Sequence, residues 1–239
     1  MKKVSLSLLR EILILMITLI TIQLEAQKNE LTEEDRNTLI EQIASIEEKD
    51  QRYRNYISIG TLNDSLIQVI EEKSKDMEIG EYMVYRSSLK LELPKAVKDS
   101  LWKLQHQLDE ENYHDFVRIV KKYGYPSKER LGTEDVNIVV ILFHPPAHLN
   151  IPEYLENMTS LLLPEVKAGR MEPKLFALFY DNIKAKILKE PQLYGTNKPF
   201  NMKTMQPGLP PIRDIEETNA ARKVIGLPVL KEGDYEIAK

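Results

Sequence analysis

The sequence predicts a mainly α-helical protein, an irregular multi-helix bundle with a long proline-containing loop or small β-hairpin near the C-terminus. Three observations carry that expectation. Apolar residues recur at spacings of three and four through most of the chain, which marks one face of a helix. Capping residues precede these runs, and glycine or proline follows them. The one long stretch without helical period, between Glu190 and Asp214, holds five prolines and two glycines. A loop of that length inside a domain carries function or a small hairpin of its own.

The N-terminus has its own pattern. Lys2 and Lys3 precede a run from Ile12 to Ile22 that is apolar except for Thr18 and Thr21, and Ala26 supplies a small residue after it. That layout is a secretory signal, and the run is shorter than the roughly 20 residues that cross a bilayer. Residues 1–26 are therefore expected to be a signal peptide, leaving one helical domain over 27–239. The expected location is periplasmic or secreted from a bacterium, with membrane contact only if the leader is retained. Cysteine is absent, so neither disulfides nor a lipidated cysteine enter, and the domain rests on its core.

Past the leader, Thr32 caps a helix whose first turn holds Glu33, Glu34 and Asp35, acids that suit the positive end of the dipole. Its inward stripe reads Leu39, Ile43, Ile46, Tyr53 and Ile57, and Gly60 ends it. A second helix covers Leu62 to Lys75, with Leu66, Ile67 and Ile70 inward. Tyr82 to Leu91 fits a helix or a strand, and Pro94 starts a new element. From Lys95 the stripe runs Leu101, Leu104, Leu108, then shifts to Tyr113, Phe116, Val120 and Tyr123. That phase jump predicts a kink or two helices, with Asp109 capping the second. Gly124 and Pro126 stop it.

Thr133, Glu134 and Asp135 open an almost wholly apolar segment, Val136 to His144, assigned as helix although its β-branched residues also fit a strand. Pro145 and Pro146 end it. Pro152 to Lys167 and Pro173 to Lys189 are clearer helices, each with proline in its first turn. A last helix, Asp214 to Ile225, is capped by Asp214 and closed by Gly226 and Pro228.

Charge limits the function classes. Without the leader the chain keeps 30 basic and 35 acidic residues, and that balance gives no basic stripe for nucleic acid. No glycine-rich phosphate loop, nucleophile elbow or cysteine nucleophile occurs. His144 and His148 have the spacing of a zinc pair, but Pro145 and Pro146 break the helix that the spacing requires, so no metal and no cofactor are expected.

Chemistry is carried instead by polar residues on apolar faces. Asp50 occupies the stripe where an apolar residue is due, and a carboxylate facing a core needs a partner. Arg54, four residues on, and Arg222 are structural partners for it. Asp181 repeats the pattern, with Lys184 as its neighbour. His144 ends an apolar run, as a core or capping histidine or as a working imidazole. In Gln192-Leu193-Tyr194-Gly195-Thr196, alternation would put Gln192, Tyr194 and Thr196 on one side, to hold a ligand or to satisfy their own turn.

With these residues in view, the chain resembles an uncharacterised bacterial helical family, domain of unknown function 6624, from about Glu47 to Leu230. The resemblance rests on Asp50-Gln51-Arg52, Gly124-Tyr125-Pro126 with Gly132, His144 closing an apolar segment, and Asp181 on a late helix. It continues through Gln192 to Thr196, Pro211-Ile212 with Asp214, and Arg222 with Gly226-Leu227. Asn182 and Asn197 stand where the family usually has arginine and glutamine, and the span from Tyr53 to Leu101 is longer than the family's. The resemblance implies a helical fold, with N-terminal helices over 27–100 and the family-like core over 101–239, and supplies no reaction.

Two functional readings follow. The first is an envelope protein that binds a small molecule or another envelope protein at a polar inter-helix site including Arg52, Gln192, Tyr194, Thr196 and Arg222. The second is a hydrolase in which Asp50, Asp181 and His144 share a cleft for acid–base work.

Overall fold

The computed structural model describes Arg10, Met16 and residues 30–133, 136, 138–201 and 206–238. Apart from Arg10 and Met16, the residues assigned to a signal peptide lie outside these, as do Glu134 and Asp135 of the expected start of the 136–144 segment. The fold is mainly α-helical. The helices are α1 (Glu33–Gln51), α2 (Arg54–Ile59), α3 (Asp64–Ser74), α4 (Ile79–Ser88), α5 (Lys95–Tyr123), α6 (Lys128–Leu131), a 3₁₀ helix (Ile138–Phe143), α7 (Ile151–Lys167), α8 (Pro173–Asn182) with a π-helical extension (Ile183–Leu188), and α9 (Ile215–Val224). The proline-containing loop carries the small hairpin, β1 (Phe200–Asn201) antiparallel to β2 (Gln206–Pro207). A parallel pair, β3 (Pro211–Ile212) and β4 (Glu236–Ile237), lies further along the chain. Among the described residues, no helix is long and apolar enough to cross a membrane.

The start signals work as their chemistry dictates. The Thr32 hydroxyl accepts from Asp35 N at 3.1 Å, and Asp35 Oδ2 accepts from Thr32 N at 3.3 Å, a reciprocal cap. Asn63 caps α3 through Leu66 N, and Asp214 caps α9 through Glu217 N. Within the segment expected as helix over 136–144, Ile138–Phe143 is helical in 3₁₀ form, and Ile79–Ser88 is an α-helix.

Two expectations are corrected. The first helix does not run unbroken to Gly60, because Arg52 and Tyr53 form a turn between α1 and α2. The cause is Gln105. Its Oε1 accepts from Tyr53 N at 3.0 Å and its Nε2 donates to Lys49 O at 3.1 Å. Those are the two backbone groups that an unbroken helix would join, so a side-chain amide is inserted into the ladder.

The second correction concerns α5, which is continuous and has no phase jump. Its buried stripe is Leu101, Gln105, Asp109, Asn112, Phe116, Val120 and Tyr123, while Leu104 is 40% exposed. Asp109 is not a cap. Three polar residues sit at successive inward positions, and the apolar positions on either side only look out of phase.

The chain forms two compact units. One comprises Met1–Glu41, Val117–Asp135 and Leu155–Lys239, and the other Gln42–Phe116 and Val136–Tyr154. The second unit has an apolar cluster of Ile59, Ile67 and Ile70, packed with Tyr56, Leu66, Tyr85, Leu89 and Leu91. In the first unit Phe176, Phe179, Leu162 and Met171 are among the fully buried side chains.

Candidate functional site

The second unit brings Asp50 and His144 together across 94 residues of sequence. Asp50, near the end of α1, is 1% exposed. Its Oδ1 lies 2.7 Å from His144 Nδ1, and its Oδ2 accepts from Gln51 Nε2 at 2.5 Å. Arg54 and Arg222, the partners that sequence offered, are both engaged elsewhere. With a donor on each oxygen the carboxyl acts as an acceptor only, which places the ring proton of a neutral His144 on Nδ1. Nε2 then carries the lone pair, and it has no hydrogen-bond partner among the described residues. The imidazole is 28% exposed.

The segment carrying His144 is anchored twice. Tyr154, itself buried, donates its hydroxyl to Leu142 O at 3.1 Å and Ile141 O at 3.3 Å, holding the last turn of the 3₁₀ helix. Beyond Pro145 and Pro146, His148 Nδ1 lies 2.7 Å from Glu110 Oε2 on α5. The two prolines limit the freedom of the short connection between the anchors.

A second carboxylate belongs to the same cluster. Asp109 is 3% exposed, with Oδ1 accepting from Gln105 Nε2 and Oδ2 from Arg54 Nη2, both at 2.9 Å. Arg54 also lies over the Trp102 ring, 5.7 Å from its centroid. Asn112, fully buried one turn further on, donates Nδ2 to Ile46 O at 3.1 Å. Arg54 Nη1 and Asn112 Oδ1 are buried without a hydrogen-bond partner.

Burial pushes the Asp109 carboxyl above the usual carboxylate range and the Asp50 charge adds to this, against the pull of Gln105, Arg54 and His144. A folded-state value above the unfolded one means that the native state holds this proton more tightly. Its contribution to stability is therefore lost as pH rises from the ordinary carboxylate range through the raised value. Asp109→Asn is expected to flatten the difference in urea midpoint across that window. Parallel curves for the two proteins would contradict the assignment.

Asp181 lies in the other unit and has a different task. It is 0% exposed on α8. Its Oδ1 accepts from Leu193 N and Tyr194 N, both at 2.9 Å, and its Oδ2 from Thr196 N at 2.8 Å and Thr196 Oγ1 at 2.7 Å. Lys184 pairs with Glu190 instead of with Asp181. Burial pushes the Asp181 carboxyl up, while the hydrogen bonds from Tyr194, Thr196 and Leu193 pull it back. The residue is the anchor of the 193–196 turn.

The polar strip is engaged in the same turn. Gln192 Nε2 donates to Asn197 O at 2.5 Å, and Asn197 N returns a bond to Gln192 Oε1 at 2.8 Å. Arg222 donates Nη1 to Tyr194 O at 2.6 Å and Nε to Pro228 O at 2.5 Å. The Tyr194 ring packs edge-on against Phe176 and Tyr180, and burial pushes its hydroxyl up to about 12. Gly195 has φ +63°, and a Cβ there would lie 2.7 Å from Leu230 Cδ1. Arg52 is exposed in the turn after α1, with its guanidinium 5.9 Å from the Tyr53 ring centroid. Of the sequence candidates, the structure thus pairs Asp50 with His144 and groups Asp181 with Tyr194, Thr196 and Arg222.

Sequence reading missed Gln105, Asp109 and Asn112 as members of the Asp50 cluster. Their spacing of four and three along one face was the available signal. Among the described residues, no group of three histidine or acidic side chains is placed to hold a metal. Comparisons with protein-family models, with curated proteins and with solved structures gave no match for this chain.

Proposed function

We propose that this is an exported protein of the bacterial envelope that binds a small molecule or an envelope partner at the polar site around His144. The observation that supports the reading is the partly exposed imidazole held by a fully buried carboxylate. A carboxylate orients the ring and fixes which nitrogen faces the ligand, as in other pre-set histidine sites. Among the described residues His144 makes no hydrogen bond to a serine or threonine hydroxyl. Asp181, Gln192 and Arg222 serve the turn of the other unit and leave the proposed site to the Asp50 cluster. The Asp50-Gln51 and His144 motifs that carry the resemblance to domain of unknown function 6624 meet in this pair.

The test is retention of envelope components by the purified protein, with product analysis of whatever is retained. The wild type is expected to hold a component unchanged, and Asp50→Asn to release it. Turnover of an envelope substrate that Asp50→Asn abolishes would overturn the binding reading. That outcome would support a second reading, a hydrolase, which the Asp50–His144 geometry also favours. In it His144 Nε2 takes a proton from water and Asp50 stabilises the resulting imidazolium.

A further inference from the structure

The charges around His144 constrain what it can accept. Asp50 lies on one side, engaged with His144 Nδ1 and Gln51. Asp109 lies on α5, its charge matched by Arg54 from α2. Lys49 is turned to Glu111 and Asp115, at 3.2 and 3.8 Å. Glu110 faces His148, and its other oxygen is 3.6 Å from His114 Nε2. Two buried carboxylates and one paired guanidinium therefore leave net negative charge among the buried groups behind the ring, while the lysine of the adjoining turn is occupied and the exposed Arg52 guanidinium lies by the Tyr53 ring. The nitrogen left without a partner is an acceptor.

We propose that the ligand presents a hydrogen-bond donor, a hydroxyl or a protonated amine, to His144 Nε2, and that the site discriminates against anions. This rests on the proposed function and adds the chemical class of the ligand. A donor completes the chain Asp50–His144–ligand with every hydrogen bond pointing one way, each polarising the next. An anion at Nε2 requires the imidazolium form and faces the uncompensated carboxylate charge, an arrangement in which like charge is costly. Arg54 offers little remedy, because its Nη2 is held by Asp109 Oδ2 and its unpaired Nη1 is buried in a side chain only 14% exposed.

The experiment uses the full protein with ¹⁵N-labelled histidine at neutral pH and constant ionic strength. Three probes are titrated separately: ethylammonium chloride, ethylene glycol and sodium acetate. The His144 Nε2 resonance is expected to move saturably with ethylammonium or ethylene glycol and to stay put with acetate, the first two arms separating amine from hydroxyl. Asp50→Asn is expected to weaken the response by about 10-fold or more, the loss typical of a hydrogen bond to a charged group. Asp109→Asn, which removes one negative charge and leaves the Nδ1 contact in place, should weaken only the amine arm. A response to acetate exceeding the other two would overturn the inference while leaving the binding reading intact. Silence to all three probes would also overturn it. Failure to retain any envelope component is the separate result that would remove the underlying reading.

Discussion

Asp181→Ala is expected to destabilise the protein by about 3–5 kcal/mol, because several donors of a buried turn lose their common acceptor. The substitution strands Leu193 N, Tyr194 N, Thr196 N and the Thr196 hydroxyl at once. Each buried donor left without an acceptor costs about 1–3 kcal/mol, moderated where the turn relaxes toward water. For a chain of this size the melting temperature should fall by roughly 10 °C. Asp181→Asn keeps one acceptor but turns an NH₂ toward donors, so it should be intermediate. A loss below about 1 kcal/mol for Asp181→Ala in a urea melt would mean that the anchor is dispensable.

Gly124→Ala is expected to cost a similar amount, about 3–5 kcal/mol, by two separable routes. Gly124 has φ +77°, and a Cβ there would lie 2.8 Å from both Arg170 Nε and Glu165 Oε2. Those atoms form a buried bidentate pair, with Arg170 Nε 2.6 Å from Oε2 and Nη2 3.0 Å from Oε1. Glu165 Oε2 also accepts from Tyr125 N at 2.9 Å, and Arg130 donates to the carbonyls of Tyr123 and Tyr125. The methyl group therefore strikes a network with few alternatives. Gly132 gives the control, since its φ is +70° but a Cβ there meets nothing within 4 Å. Gly132→Ala should show the backbone term alone, about 1–2 kcal/mol. Equal losses at the two positions would show that the ion pair yields without cost.

The helices were legible where capping and periodicity agreed. Thr32 and Asp214 each begin a helix as expected, and the prolines of 152 and 173 sit in first turns. Legibility failed where a buried polar side chain imitated a surface one. Gln105 is a helix former with nothing in its sequence context to mark it as the cause of the break at Arg52. The stripe Gln105, Asp109, Asn112 reads as an interruption because periodicity counts apolar residues, and hydrogen bonds to another helix are invisible to it. Asp50, Asp181 and His144 were marked as misplaced polar residues by the same rule. Their partners were not marked, since Asp50 meets a histidine 94 residues away and Asp181 meets backbone amides, which leave no trace in residue identity.

The proposed site depends on Asp50 fixing the orientation and tautomer of His144. Long-range ¹H–¹⁵N correlation spectra of the histidine side chains measure this directly, with His144→Gln supplying the assignment. The expected spectrum shows His144 protonated at Nδ1 and bare at Nε2, collapsing to an exchanging mixture in Asp50→Asn while the fold persists. A His144 ring protonated at Nε2, or a mixture identical in wild type and Asp50→Asn, would contradict it.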